Sequence, residues 1–175
     1  MEAIRKSNKA RPEQQNVTYQ RASGADMLTV NAETLHEFDL AGGKLHAACL
    51  AGSNMSGSDL HAADLSEADL SLSDLSFADL KGADLHSARL VGANLSTAEL
   101  TLANLEGADL RDAKLIGADL YGANLRKTQL KGALLYGADL LDADLSGAKL
   151  RGAMYDSGTR WPASVRPETR GALLK

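Results

Sequence analysis

Leucine recurs at every fifth position over most of this chain. The run begins at Leu40 and continues to Leu150, with Met55 as the single replacement. Two positions before each leucine stands a small residue, most often alanine, and the residue between the two is usually Asp or Asn. The repeating unit is therefore A-(D/N)-L-x-x, and its register holds from His36 to Tyr155, through 24 pentads.

A period of five excludes an amphipathic helix. A helix turns by about 100° per residue, so successive leucines would rotate by about 140° and would be distributed around the whole helix. In an extended segment, the alanine and the leucine point to the same side, and the Asp or Asn between them points to the other. Each pentad is therefore predicted to be a very short strand followed by a two-residue turn.

Glycine fills the second turn position in 12 of the pentads. This choice suits a turn that needs a positive φ. Four consecutive pentads, between positions 58 and 77, end instead in Ala62, Glu67, Leu72 and Phe77. We therefore expect a different turn type at these four positions.

These repeats resemble those of the pentapeptide-repeat family, and the resemblance covers residues 36–155. It implies an all-β fold, namely a right-handed quadrilateral parallel β-helix with four pentads in each coil. The leucine and the small residue would point inward, and the other three positions outward. The 24 pentads then give about six coils, or a rod of about 30 Å at about 4.8 Å per coil.

The ends of the repeat predict three segments. Residues 1–25 are expected to form a polar N-terminal tail, residues 26–155 the β-helix with an irregular leading coil, and residues 156–175 a C-terminal capping segment. An open end of a solenoid exposes apolar surface and unpaired strand edges. Phe38, which replaces the usual small residue, is predicted to plug the N-terminal end, and Trp161 to cover the last coil.

Four pentads per coil place residues 20 apart above one another, so the outer surface can be sorted into columns. The outward middle position of the first face carries an acid in every coil: Asp39, Asp59, Asp79, Glu99, Asp119 and Asp139. The third face carries a basic column in its C-terminal half: Arg111, Lys131 and Arg151. The fourth face is predicted to expose an apolar set: Phe77, Ile116, Leu134 and Tyr136.

Each of these surfaces has more than one interpretation. The acidic column is either a solvated stripe that follows from the repeat consensus or a recognition surface. The apolar set is either scattered exposure or the contact of a homodimer or another partner. Whether the protein is a monomer or a homodimer stays open.

Composition and charge limit the remaining chemistry. Only 4% of residues are aromatic, so leucine and alanine must pack the core. The net charge of −4 argues against direct binding of nucleic acid. The single cysteine, Cys49, excludes an intramolecular disulfide and a multi-cysteine zinc site. The N-terminal segment up to Gln15 contains no apolar run, so we expect no membrane contact and a cytoplasmic protein.

The sequence predicts no catalytic residue, cofactor or metal. Motifs of nucleophilic hydrolases, zinc proteases and phosphate-binding loops are absent from the sequence. His46 and His86 share a column but lie two coils, or about 10 Å, apart, which is too far to share a metal. The protein is therefore predicted not to be an enzyme.

Two functions are compatible with these features. The first is a non-catalytic scaffold or regulatory protein that binds an unknown protein partner through its charged and apolar outer faces. The alternative follows from the resemblance, because some members of the family mimic DNA and protect the type II topoisomerases, gyrase and topoisomerase IV, from quinolones. Between residues 38 and 155 there are 16 acidic and 10 basic residues, a net charge of −6, but the basic column interrupts the imitation of DNA.

Overall fold

The computed structural model of the protein describes residues 16–20, 27–31 and 35–175. From Leu35 to Ala153 the chain consists of turns separated by single-residue β-bridges. The longer strands of the described residues are β1 (Asn16–Gln20), β2 (Met27–Asn31), β3 (Met154–Tyr155) and β4 (Leu173–Leu174). A 3-10 helix spans Pro167–Arg170. Within the described residues, no helix has the length and apolar character that crossing a membrane requires.

Each pentad pairs in parallel with the fourth pentad after it. The bridges join the outward middle residues, from Asp39–Asp59 at one end to Leu134–Met154 near the other. The N–H of each leucine donates to a carbonyl of the next coil, as from Leu40 N to Asp59 O at 2.7 Å. The predicted stacking of residues 20 apart is therefore confirmed, and this part of the chain is a β-solenoid.

The repeat leucines and the small residues fill the centre of the solenoid. Apart from the partly buried Ala48, these side chains are almost completely buried, and Leu35 extends the same core by one position. Four hydroxyl residues replace the inward alanine: Ser53, Ser58, Ser73 and Thr128. Each hydroxyl donates to the carbonyl oxygen three residues earlier, as from Ser53 Oγ to Leu50 O at 2.7 Å. The buried polar groups are thereby satisfied within their own turns.

The turns share one φ region whether or not they contain glycine. The four residues expected to form another turn type have φ between 53° and 60°: Ala62, Glu67, Leu72 and Phe77. Their turns close with the hydrogen bond used elsewhere, as from Ala63 N to Leu60 O at 3.1 Å. The prediction of a different turn is therefore wrong. The reason lies in the stack, because the N–H of Ala62 also donates to Lys81 O in the next coil at 2.9 Å.

A comparison of Gly122 with Gly82 distinguishes the cost of backbone strain from the cost of a side-chain contact in these turns. A methyl group on Gly122 (φ 64°) would lie 2.8 Å from Cδ2 of Leu102, whereas one on Gly82 (φ 62°) would meet nothing within 4 Å. We expect Gly82→Ala to cost about 1 kcal/mol of left-handed strain and Gly122→Ala to cost more. Urea unfolding measures both. The additional cost of Gly122→Ala over Gly82→Ala should disappear in a Leu102→Ala background. Equal costs of the two substitutions in the wild-type background would contradict a contact between residue 122 and Leu102.

The N-terminal end differs in part from the prediction. Phe38 is half-buried and packs against the core, where a plug was predicted. Upstream, β1 and β2 pair antiparallel, with Val17 opposite Val30. The predicted tail therefore contains a strand, and β2, which lies in the predicted irregular leading coil, pairs antiparallel with it. Both strands contain adjacent β-branched residues, Val17 with Thr18 and Thr29 with Val30, which favour an extended backbone.

Residues 156–175 follow the repeat and contact its last coils. Trp161 packs against the core and meets Tyr155 edge-on, with ring centroids 5.5 Å apart. Thr159 Oγ1 donates to Leu135 O at 2.8 Å, and β4 pairs in parallel with β3. That Trp161 acts as the lid of the last coil stays a prediction. The extra strand continues the ladder and supplies partners for backbone groups that an open edge would leave unpaired.

Candidate interaction surfaces

The acidic column is a continuous stack of carboxylates. Bridges join its six members in order: Asp39, Asp59, Asp79, Glu99, Asp119 and Asp139. In each of the five aspartates, Oδ1 accepts a hydrogen bond from the backbone N–H two residues later, at 2.9–3.1 Å. This contact is an Asx turn, in which the carboxylate stabilises the local backbone. One oxygen of each aspartate therefore already has a structural role.

Basic side chains reduce the charge of the acidic column. The ion pairs are Lys81 with Asp79 and Glu99, His61 with Asp59, and Arg160 with Asp139. Lys81 and His61 stand two positions after an acid, in the adjoining column. Arg160 enters the acidic column because the chain gains one position in the last coil, so that the final bridge joins Asp139 to Arg160 rather than to Thr159. Sorting the sequence at a fixed spacing of 20 therefore misses Arg160.

The contact between His61 and Asp59 couples both groups to pH. His61 Nδ1 lies 2.7 Å from Asp59 Oδ1, and this hydrogen bond raises the pKa of His61. Burial raises the pKa of Asp59, but the hydrogen bonds from His61 outweigh it, so the net pKa is lowered. Because the folded pKa of His61 is raised and that of Asp59 is lowered, the pair contributes fully below about pH 6.5 as long as Asp59 is ionised; the contribution is lost as the pH rises through the raised pKa of His61 and again as it falls through the lowered pKa of Asp59.

We expect Asp59→Asn to return the pKa of His61 towards 6.5, as measured by an NMR titration of the imidazole protons. Asp79→Asn is the matched control, because Asp79 acts on His61 only through charge at longer range. It should lower the pKa of His61 by less. Equal falls in the two variants would show that the hydrogen bond has no special effect.

The neighbouring face carries a ladder of side-chain amides. Nδ2 of Asn104 donates to Oδ1 of Asp84 at 2.9 Å, and Nδ2 of Asn124 donates to Oδ1 of Asn104 at 3.0 Å. Oδ1 of each asparagine also accepts the backbone N–H two residues later. Asparagine therefore bonds both within its turn and between coils. This ladder was not predicted from the sequence, although the succession Asp, Asn, Asn at a spacing of 20 is a signal for it.

The basic column is partly engaged. Nε and Nη2 of Arg111 donate to Asp109 at 2.8 and 2.7 Å. This contact is the main cause that holds the pKa of Asp109 below its usual value. Lys131 and Arg151 form no ion pair with any described residue. Unpaired positive charge is therefore concentrated in the C-terminal part of this column, and its role in recognition stays a prediction.

The predicted apolar set forms one patch only in part. Ile116, Leu134 and Tyr136 lie in consecutive coils, and the Tyr136 hydroxyl donates to Met154 Sδ at 3.3 Å. Ile116 is 39% exposed, while Leu134 and Tyr136 are half-buried. Phe77 is 70% exposed and lies two coils from Ile116. The structure therefore groups three of the four residues, and their use as an interface stays a prediction.

Two further leucines are more exposed than the predicted residue Ile116. Leu72 is 74% exposed and Leu102 is 68% exposed. Both occupy the turn position of positive φ, and each side chain lies beside a glycine of the next coil, Gly92 or Gly122. These two surface residues were not predicted from the sequence, because residues at this position were considered only for the conformation of the turn.

The histidines and the cysteine do not assemble a site within the part of the chain that the structure describes. Ser66 stands between His46 and His86 and bonds to Nδ1 of His46 at 2.8 Å. Cys49 is a free, exposed thiol. Among the described residues, no three His, Cys, Asp or Glu side chains are grouped as metal ligands.

An open groove of about 430 Å³ lies beside the amide ladder, lined by His86, Ser87, Asn104, Glu106, Gly107 and Lys127. Lys127 and Glu106 form an ion pair in this groove, because Lys127 Nζ donates to Glu106 Oε1 at 2.8 Å. This hydrogen bond is the main cause that lowers the pKa of Glu106. The groove therefore presents an ion pair that is already formed.

Solved structures from cyanobacteria are similar to this chain. The pentapeptide repeat protein Rfr23 from Cyanothece 51142 is 40% identical over 53% of this chain and 63% of its own, with a TM-score of 0.53. HetL from Nostoc sp. PCC 7120 is 31% identical over 80% of this chain and 65% of its own, with a TM-score of 0.59. The chain therefore spans less than two thirds of the length of these two proteins.

A third structure and a family model agree with these matches. The pentapeptide repeat protein alr5209 from Nostoc PCC 7120 is 36% identical over 70% of this chain and 84% of its own, with a TM-score of 0.50. No curated protein matches the chain. A family model described as pentapeptide repeats matches in eight copies, over residues 39–76, 78–115 and 113–152. With its ladder of residues 20 apart and its inward leucines, the chain belongs to the pentapeptide-repeat family.

Proposed function

We propose that this protein is a non-catalytic interaction module that binds a protein partner through its outer columns. Its scaffold in this proposal is a right-handed quadrilateral β-helix of about six coils, closed by caps at both ends and working in the cytoplasm. The observation that carries the proposal is the regular display of outward side chains, which the ladder holds at about 4.8 Å from coil to coil.

The rigidity of the display supports this function. Both the leucine N–H groups and the turn N–H groups are bonded to the next coil, as with Leu105 N to Asn124 O at 2.8 Å and Gly107 N to Arg126 O at 2.8 Å. A surface fixed in this way loses little conformational entropy when a partner binds. Lys131 and Arg151 supply exposed cations that have no ion pair within residues 35–175, and these are available to an acidic partner surface.

HetL offers a comparison for such a role. It is described as involved in the regulation of heterocyst differentiation, and its fold similarity to this chain supports a regulatory function exerted through a protein contact. The proposal takes from HetL only this class of function, because the similarity covers 65% of the HetL chain.

Mimicry of DNA towards a type II topoisomerase is the second candidate. The acidic column favours it, since its carboxylates stack in six successive coils. The ion pairs of Lys81, His61 and Arg160 oppose it, because a mimic needs carboxylates that are not already neutralised. We therefore place this function below binding of another protein partner.

Two assays distinguish the candidates. In the first, the tagged protein captures partners from a bacterial lysate beside a Lys131→Glu/Arg151→Glu variant and a control of equal charge change, Lys44→Glu/Arg126→Glu. The proposal expects a partner that the first variant loses and the control retains. The proposal would be overturned if the captured partners were the same for the wild type and for every variant of the outer faces.

The second assay measures gyrase supercoiling with and without ciprofloxacin. The interaction module should have no effect at micromolar concentrations. Inhibition or drug rescue that disappears in an Asp59→Lys/Asp79→Lys/Asp119→Lys variant would establish mimicry instead. Circular dichroism must show an intact fold, because these aspartates also cap their turns.

A further inference from the structure

Over five successive coils, one face of the solenoid carries almost no charge. It comprises the outward positions of residues 53–57, 73–77, 93–97, 113–117 and 133–137, and we call it the neutral face. Its middle column consists of Asn54, Asp74, Asn94, Lys114 and Leu134, joined by consecutive bridges. Asp74 and Lys114 are the only residues of these five pentads that are charged at neutral pH.

The two charges lie symmetrically about Asn94. Asp74 is bridged to Asn94 from one side and Lys114 from the other, so each charge is one coil, or about 4.8 Å along the rod, from the centre. Reversing the direction of the column about Asn94 therefore exchanges the position of the acid with that of the base.

Both charged groups have bonding capacity left. The three hydrogen bonds of the Asp74 carboxylate all end on Oδ1, from Ser76 N, Ser76 Oγ and Asn94 Nδ2, at 3.0, 2.7 and 3.0 Å. Oδ2 accepts no hydrogen bond from the residues that the structure describes. Lys114 is exposed and forms no ion pair within the same residues.

We propose that the neutral face binds a second copy of this chain, antiparallel, about a two-fold axis that passes through Asn94. The inference rests on the proposed interaction role of the outer faces and names one partner for this face. Under the axis, Asp74 of each copy opposes Lys114 of the other, so the ionic contact occurs twice. Asn94 opposes its own equivalent on the axis.

The exposed aromatic residue fits the same arrangement. Phe77 is 70% exposed, and the reversal places it opposite Gly117 of the second copy. Gly117 presents no side chain at this corner, and the neighbouring Ile116 is itself 39% exposed. The ring of Phe77 can therefore pack over Gly117 and cover Ile116, which removes apolar surface from water on both copies.

The size of the face predicts a weak dimer. Five coils at about 4.8 Å extend over about 24 Å, and a single flat face of this length lies below the area of standard stable interfaces. The association is closed, because both copies use the same face. We expect dimers at micromolar to high-micromolar concentrations and no larger assemblies.

Sedimentation equilibrium with charge exchange tests the proposal. Asp74→Lys and Lys114→Glu should each weaken self-association about tenfold or more, because each places like charges opposite one another. An equimolar mixture of the two variants should associate again, since every contact is then between opposite charges. Because a doubly basic face attracts a doubly acidic one in either direction, the double variant Asp74→Lys/Lys114→Glu identifies the antiparallel pair: it should self-associate like the wild type only if Asp74 meets Lys114. Circular dichroism of each variant checks that the solenoid is intact.

Phe77→Ala should also weaken the dimer, whereas Leu102→Ala should not, because Leu102 is similarly exposed but lies away from the neutral face.

In a Cys49→Ser background, Asn94→Cys should give a disulfide-linked dimer on oxidation, and Ser146→Cys should not. A wild-type protein that stays monomeric at several hundred micromolar, or variants that fail to rescue each other, would overturn the dimer. Capture of a partner by such a monomer would leave the proposed function intact.

Discussion

Replacing Leu105 with Ala is expected to lower the free energy of unfolding by about 2–5 kcal/mol. Leu105 is completely buried, and its N–H bonds to Asn124 O in the next coil at 2.8 Å. The variant leaves a cavity that the coils on either side cannot fill, because the ladder fixes their distance. Urea unfolding followed by circular dichroism measures the loss.

Leu72→Ala is the matched control for this prediction. Leu72 is 74% exposed, so its removal should change the stability by less than about 0.5 kcal/mol. Each coil is stabilised mainly by its neighbours, so the Leu105 variant should lower the midpoint of the whole transition. A loss below about 1 kcal/mol, or a transition in which only one half unfolds, would contradict a cooperative stack.

The core and the columns could be predicted from the sequence because both follow from one repeating register. A leucine and a small residue two positions apart must share one side of an extended segment. Once Leu40 and Leu60 occupy equivalent inward sites, the outward residues Asp39 and Asp59 must stack as well, as their bridge confirms. The number of pentads per coil came from the family resemblance rather than from this reasoning.

The turns could not be predicted because their conformation is imposed by the next coil. Glycine at a turn suggests a positive φ, and a residue such as Phe77 argues against one. In the structure Phe77 has φ 60°, and its N–H bonds to Ser96 O at 3.1 Å. The hydrogen bonds of the ladder therefore offset the local preference of the residue, and single-residue propensity does not contain that information.

Ion pairs between side chains of different columns could not be predicted from the sequence either. The acidic column follows from positions 20 apart, but its neutralisation depends on Lys81 reaching Glu99 from an adjoining column and on the extra residue that brings Arg160 beside Asp139. The antiparallel pairing of β1 with β2 departs from the repeat altogether. Each of these features depends on how far a side chain reaches or on where the repeat ends.

Replacing Asn104 with Asp in the amide ladder is expected to lower the free energy of unfolding. The variant removes the donor that bonds to Asp84 at 2.9 Å and places two carboxylates at this contact. We expect a loss of about 2 kcal/mol at pH 7 from the lost charge-assisted hydrogen bond and the repulsion. Urea unfolding between pH 3 and pH 7 measures it.

The pH dependence and a control variant distinguish loss of the hydrogen bond between coils from charge repulsion alone. Repulsion raises the folded-state pKa of the new carboxylate pair, so the folded state binds a proton more tightly than the unfolded state, and the loss should shrink as the pH falls towards about 4. Asn54→Asp also adds a carboxylate beside an aspartate, Asp74, but the amide of Asn54 donates no hydrogen bond to another coil among the described residues. It should therefore cost clearly less at pH 7. Equal losses would assign the effect to charge alone, and a loss that grows on acidification would contradict the raised pKa.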